Sequence, residues 1–177
     1  MEIFAQKDVL KTFRVLVDTR EQQTKRAEGR YRVFGSFDRV KLDYGDYAYN
    51  CQLPDGKWIY PADAPIYPVV SVERKMNLDE LAECFTWGRK RFTAEFERAK
   101  EHGARVYLLV ENATWENLLN GKYRSKFNPA AFEASILAWQ ARYQASVIFC
   151  KEETSGKLIR DILYRELKER LERGDYG

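Results

Sequence analysis

A chain of 177 residues that is 45% hydrophobic and 14% aromatic can bury the core of one ordinary domain, which excludes disorder as its main state. Thirty basic against twenty-seven acidic side chains leave a net charge of +3, too mild to establish a nucleic-acid partner by itself. One histidine, His102, and three widely spaced cysteines, Cys51, Cys84 and Cys150, exclude a zinc cluster, a disulfide framework and Ser-His-Asp chemistry, so any reaction must run on carboxylates, lysine and arginine.

The opening MEIFAQKDVLKTF lacks the apolar core of a signal peptide and no run of eighteen apolar residues follows, so a soluble, intracellular protein, cytoplasmic or nucleoid-associated, is expected. Residues 13–17 read as a buried strand that ends at the polar run Asp18-Thr19-Arg20-Glu21. Residues 25–41 form a basic stretch in which Lys25, Arg26, Arg30, Arg32, Arg39 and Lys41 face only Glu28 and Asp38. Strands are expected over 37–42, over 46–51 and 57–60 as a pair around Pro54-Asp55-Gly56, and over 69–74, which makes this region β-rich and built from hairpins.

From Asn77 the apolar period becomes helical through Leu78, Leu81, Ala82, Phe85, Phe92, Phe96 and Ala99. Asn77 is the expected N-cap, Glu80 completes a capping box, Gly88 interrupts the run and Gly103 ends it. Residues 106–111 form a continuous apolar strand. Asn128-Pro129 opens a helix with Phe132, Ile136, Trp139 and Tyr143 on one stripe, residues 147–150 form a short strand, and a last helix spans 157–173. This alternation of strand and helix argues for parallel pairing. The last helix is expected to carry the pairs Asp161–Arg165, Glu166–Arg170 and Glu169–Arg173. Its aliphatic positions, Ile159, Ile162, Leu163, Leu167 and Leu171, need either the chain's own core or a partner to cover them.

Three acidic groups fall where a strand ends or a turn begins: Asp18 with Glu21, Asp46 after Gly45, and Glu73 before Arg74 and Lys75. Residues two apart on a strand share a face, so Glu73 and Lys75 point together and Arg74 points away. Gly45 permits a tight turn that brings Asp46 close to a neighbouring strand. Two carboxylates converging beside a lysine make an oxygen-only site suited to Mg²⁺ or Mn²⁺, whereas an isolated Glu-x-Lys, a pattern common by chance, reads far better as a surface ion pair.

In order, Val17-Asp18-Thr19-Arg20-Glu21, Gly45-Asp46-Tyr47 and Val72-Glu73-Arg74-Lys75 with Asp79 four residues on resemble the XPF-type structure-specific endonuclease domain of the PD-(D/E)XK superfamily. That family is marked by a V-D-x-R-E strand end, a G-D turn and E-R-K-x-x-x-D. The resemblance runs over residues 13–150. It implies an α/β, restriction-endonuclease-like core, a mixed central β-sheet flanked by α-helices. It also implies a metal, Mg²⁺ or Mn²⁺, held by Asp46, Glu73 and the backbone carbonyl of Arg74, with Lys75 orienting or deprotonating the attacking water. Asp18 would be a further ligand or water contact, and Glu21 would support this shell and Arg20. Arg20 and Arg74 would clamp phosphate or brace the carboxylates, and Asp79 would be a motif member rather than a ligand.

The function implied is a metal-dependent DNA endonuclease acting near branches, flaps or single-strand/double-strand junctions; the alternatives are a non-catalytic DNA-binding scaffold and an exonuclease or junction resolvase on the same core. A single nuclease domain without a helicase or helix-hairpin-helix module is expected. The clusters Arg89-Lys90-Arg91 and Lys122, Arg124 and Lys126, the latter interleaved with Tyr123 and Phe127, add a candidate phosphate-tracking surface. The resemblance further implies a homodimer, for which the stripe from Ile136 to Tyr143 and the final helix offer surfaces.

Overall fold

The structure, a computed structural model, describes residues 3–176. A first helix, α1 (Ile3–Lys11), leads into β1 (Arg14–Asp18), whose Val15, Leu16 and Val17 are buried. The basic stretch that follows holds a helix, α2 (Lys25–Phe34), absent from the sequence reading. Thr24 caps it by accepting the Ala27 N–H at 3.2 Å, and Ala27, Arg30, Tyr31 and Phe34 bury one face at three- and four-residue spacing. The chain then enters β2 (Phe37–Val40), which runs parallel to β1 with Phe37 opposite Val15. This unit is therefore a strand–helix–strand crossover, which corrects the expectation of hairpins.

β3 (Tyr47–Asn50) is antiparallel to β1 on one side and to β4 (Val70–Lys75) on the other. Residues 57–60 form no strand; a single bridge joins Gln52 and Trp58. Two backbone bonds, Leu53 N–H to Lys57 O and Ile59 N–H to Cys51 O, hold the segments together, and the Asn50 side chain extends them by donating to Tyr60 O at 2.8 Å and accepting the Tyr60 N–H at 3.1 Å.

The rest follows the expected alternation: α3 (Leu78–Phe85), α4 (Arg89–Glu101), β5 (Arg105–Glu111), α5 (Trp115–Leu119), α6 (Pro129–Tyr143), β6 (Ser146–Cys150) and α7 (Glu152–Arg173). Asn77 caps α3 by accepting the Glu80 N–H, and Glu80 reaches back to the Met76 N–H at 2.6 Å. The six strands form one mixed sheet in the order β2-β1-β3-β4-β5-β6, with β4, β5 and β6 parallel.

Each face of the sheet has its own core. On one, Leu108 and Val110 meet Phe85, Phe92, Phe96 and the α6 stripe; on the other, Leu109 meets Phe34, Tyr47 and the α7 residues Ile159, Leu163, Leu167 and Leu171. Phe132 and Trp139 pack edge-on or stacked against the rings of Phe85 and Phe92, Tyr143 meets Phe96 at a tilt, and Ile136 joins the same cluster. Both apolar stripes are thus covered by the chain itself, and neither offers a dimer surface.

α7 begins five residues earlier than expected and so includes Gly156, where it crosses α2 closely: a Cβ there would lie 2.9 Å from Arg30 Cα. On its outer face Glu166 does meet Arg170, but Asp161 pairs with Lys157 and Arg160, and Glu169 with Arg165. Among the described residues no helix is long and apolar enough to cross a membrane. The three thiols are free, and burial pushes Cys51 up to about 12 and Cys84 and Cys150 up to about 11, so all three stay protonated and unreactive near neutrality.

Candidate active site

The site is assembled where β1, β3 and β4 meet. Gly45 has φ +75°, and a Cβ on it would lie 2.6 Å from Ser71 Cβ, so only glycine allows the chain to pass this close to β4. That approach lets Asp46 join two strands through its backbone, donating to Val72 O at 2.9 Å and accepting from the Asp18 N–H at 2.8 Å. Its side chain then accepts the Arg74 N–H at 2.7 Å.

Glu73 and Lys75 share the face predicted by strand alternation. Lys75 Nζ donates to Glu73 Oε1 at 2.5 Å, and both side chains are buried. The second oxygen of Glu73, Oε2, is buried without any hydrogen-bond partner. Burial and the neighbouring Glu73 charge together hold Asp46 well above the usual carboxylate range, despite Lys75. Burial likewise raises Glu73, with Lys75 opposing and Glu95 adding to the shift. For Lys75 burial acts downward, but the Glu73 and Asp46 carboxylates outweigh it and its pKa is raised, so the ammonium keeps its proton.

These donors fit a hard divalent cation. Two crowded carboxylates and an orphaned oxygen are electrostatically unfavourable alone, and Mg²⁺ commonly takes only one or two carboxylates with water completing its shell. Among the described residues no group of three or more His, Cys, Asp and Glu side chains is placed to hold a metal. The Asp18 carboxylate is engaged by its own partners. It is fully buried, and its oxygens accept from the Arg20 N–H and Nε at 2.7 and 2.6 Å and from the Leu42 N–H at 2.7 Å. Its carboxylate braces the end of β1, and Arg20 is the side chain it braces with.

Arg74 points to the opposite face, as alternation requires, and sits in a buried ionic network. Its Nη1 donates to Glu111 Oε2 at 3.1 Å and its Nε lies 3.6 Å from Glu21 Oε2. Arg30, 6% exposed, lies 3.5 and 3.6 Å from the same two carboxylates, and the Tyr47 hydroxyl donates to Glu21 at 2.6 Å. Glu21 is therefore tied to Arg30, Arg74 and Tyr47 rather than to Arg20. Burial acts to lower Arg74, but Glu21 and Glu111 raise it overall, so it braces carboxylates as a fixed cation.

Asp79, in the first turn of α3, accepts the Arg124 and Ser125 N–H groups at 2.8 and 2.7 Å and pairs with the Arg124 guanidinium. Burial alone would raise its carboxyl, but these bonds hold it below its ordinary value. Asp79 thus anchors the loop that carries the second basic cluster. In that loop Lys122, Arg124 and Lys126 alternate as exposed residues with half-buried Tyr123, Ser125 and Phe127. Tyr123 and Phe127 pack on Phe132, so these rings hold the loop to α6 and are not free to stack on a ligand. Arg89, Lys90 and Arg91 are exposed at the start of α4 and form no ion pair among the described residues. The long basic stretch is no single surface: Arg30 is in the network, Arg39 donates to Thr19 O and Glu21 O, and Arg26 pairs with Glu152.

Three contributors escape sequence reading. Glu95 of α4 accepts the Gly45 N–H at 2.9 Å and holds the tight turn, while Glu111 and Arg30 complete the buried network. Glu95 follows Phe92 by one turn, and Glu111 closes an apolar strand; a carboxylate in either place signals a buried partner, though not which one.

A mixed six-stranded sheet with helices on both faces, and a carboxylate pair with a lysine at adjoining strand ends, define an α/β, restriction-endonuclease-like fold. The family model of the ERCC4 domain matches residues 17–162, and the chain belongs to that family. Among solved structures it is similar to XPF from Aeropyrum pernix, with 21% identity and a TM-score of 0.58 over 86% of this chain and 61% of that one. It is also similar to XPF from Aeropyrum pernix in complex with DNA, with 21% identity and a TM-score of 0.61 over 89% of this chain and 66% of that one. The chain therefore spans less than two thirds of the length of this relative. A comparison with curated protein sequences gives no match.

Proposed function

We propose that this chain is a DNA endonuclease that depends on Mg²⁺ or Mn²⁺ and hydrolyses one phosphodiester bond, with branched, flap or single-strand/double-strand junction DNA as its substrate. The observation that carries this reading is the convergence of Asp46, Glu73 and Lys75 with Glu73 Oε2 left without a partner. Membership of the ERCC4 domain family and likeness to an XPF solved with DNA support it. A scaffold without chemistry would gain nothing by retaining two buried carboxylates, both held above their ordinary pKa and one of them raised by the other's charge.

Asp46, Glu73 and the Arg74 backbone carbonyl would hold the cation. When bound, it would polarise the scissile phosphate and offset the negative charge that builds there. Lys75, kept protonated by its carboxylate neighbours, serves as a hydrogen-bond donor that orients the attacking water and the phosphate rather than as the group that removes a proton. The Phe92 ring, centred 5.5 Å from its ammonium, limits where that ammonium can swing. Exposed Arg89, Lys90, Arg91, Lys122 and Lys126 would track the phosphate backbone, while Arg124 is partly spent on Asp79.

The test incubates the protein with Mg²⁺ and end-labelled linear, flap, fork and four-way DNAs and maps the cuts. Strand cleavage at junctions that is lost in Asp46→Asn and Glu73→Gln supports the reading, and cleavage at the wild-type rate in both variants removes the site.

A further inference from the structure

Trp87 is 90% exposed, the most exposed of the large hydrophobic residues, and among the described residues no aromatic or cation–π contact engages its ring. It stands on the turn between α3 and α4, and that turn is tied down by hydrogen bonds. Gly88 N–H donates to Glu83 O at 2.9 Å, the Thr86 hydroxyl donates to Ala82 O at 2.9 Å, and a Cβ on Gly88 would lie 3.1 Å from Glu83 O. The indole is thus presented outward by a fixed backbone, which lowers the entropy cost of any contact it makes.

The next three residues, Arg89, Lys90 and Arg91, are exposed and unpaired, and the first turn of α4 contains no acidic residue. Three cations at the positive end of a helix repel its dipole, so this corner is charged to receive an anion. A Cβ on Gly88 would lie 3.5 Å from Cys84 Cα, and the Cys84 thiol lies within electrostatic reach of Lys75, Glu73 and Arg91, so the corner adjoins the carboxylate site. A planar apolar ring beside three cations matches a polyanion that carries flat apolar groups. In duplex DNA base faces are hidden, whereas at a junction or in a single strand they are open. A lipid surface fits less well, because α4 turns its own apolar residues Phe92, Phe96 and Ala99 inward.

We infer that Trp87 stacks on an unpaired base beside the cleavage site, with Arg89, Lys90 and Arg91 holding the adjacent phosphates, and so makes the chain favour junctions over continuous duplex. This rests on the nuclease reading for its substrate, but it is tested without cleavage. Binding is measured by fluorescence anisotropy in EDTA, with a blunt duplex of about 20 base pairs and the same duplex carrying a thymidine tail of about 10 nucleotides.

Stacking of one base predicts that Trp87→Ala weakens binding to the tailed duplex about tenfold, leaves the blunt duplex within about twofold, and that Trp87→Phe restores most of the loss. Indole fluorescence quenched by the tail in the wild type and not in Trp87→Phe would identify the ring directly. Equal effects on the two probes, no effect of Trp87→Ala, or binding to neither probe overturns the inference. So does a loss confined to self-association in sedimentation, which would make Trp87 a protein contact. Binding through Trp87 without any cutting in Mg²⁺ would refute the nuclease reading and leave this inference standing. Cutting with unchanged junction preference in Trp87→Ala would do the reverse.

Discussion

Replacing Asp46 by asparagine should stabilise the metal-free protein at alkaline pH while removing its chemistry. Asparagine keeps an oxygen to accept the Arg74 N–H at 2.7 Å, and the backbone bonds to Val72 and Asp18 do not involve the side chain. What it removes is a negative charge held unfavourably by burial and by Glu73. Because the folded pKa lies above the unfolded one, the native state gains from this carboxyl at pH below its ordinary value, and the gain is lost as pH rises through the raised folded pKa. Relief of strain at one functional-site position is typically worth about 1–3 kcal/mol. For a domain of this size that is a rise of roughly 2–12 °C in Tm. Thermal melts in EDTA should therefore show Asp46→Asn above the wild type at about pH 8, with the difference closing as pH falls to about 4. Mg²⁺ should close it from the other side, by stabilising only the wild type. Glu73→Gln should gain less, since Lys75 then loses the partner at 2.5 Å. A melting temperature of Asp46→Asn below the wild type at pH 8 in EDTA would refute the picture of a site strained without its cation.

Glu111→Ala leaves Arg30 and Arg74 buried with only Glu21 to balance them and should cost about 3–5 kcal/mol, read from urea unfolding. Gly156→Ala forces a methyl to within 2.9 Å of Arg30 Cα and should cost about 1–3 kcal/mol by separating α7 from α2, read in the same way. Replacing Lys122, Arg124 and Lys126 together by alanine should lower the slope of log affinity against log salt by about 2 rather than 3, because Arg124 is already engaged by Asp79. An unchanged slope would take this loop off the DNA.

Apart from the short α5, which the sequence reading lacks, the elements from Asn77 onward were legible because their apolar residues repeat with one clear period and their ends carry capping residues: Asn77, Gly88, Gly103 and Asn128 all stand where sequence placed them. α2 was not, because its buried face includes Arg30 and its middle holds Gly29, so charge and a helix breaker masked the spacing of Ala27, Tyr31 and Phe34. Missing that helix turned a parallel crossover into supposed hairpins. At the site, strand alternation alone predicts that Glu73 and Lys75 share a face opposite Arg74, and the Gly45 turn explains the approach of Asp46. The partners of Asp18, Glu21 and Asp79 lay beyond reach, since each is set by which strands and loops become neighbours. Asp18 meets Leu42 from 24 residues away and Asp79 meets Arg124 from 45. The five aliphatic positions of the last helix also left self-docking, the commoner outcome, and pairing both open until the sheet supplied a cover.

Cleavage of a labelled flap substrate tests the central claim most directly, with wild type, Asp46→Asn and Lys75→Ala compared in Mg²⁺, in Mn²⁺ and in EDTA, and binding followed in parallel. The account predicts cutting near the junction by the wild type with either metal, none in EDTA, and a loss of about a hundredfold or more in each variant with affinity nearly intact, because phosphate contacts rather than the carboxylates hold the DNA. Cleavage that persists in EDTA, or at the wild-type rate in Asp46→Asn, would contradict it.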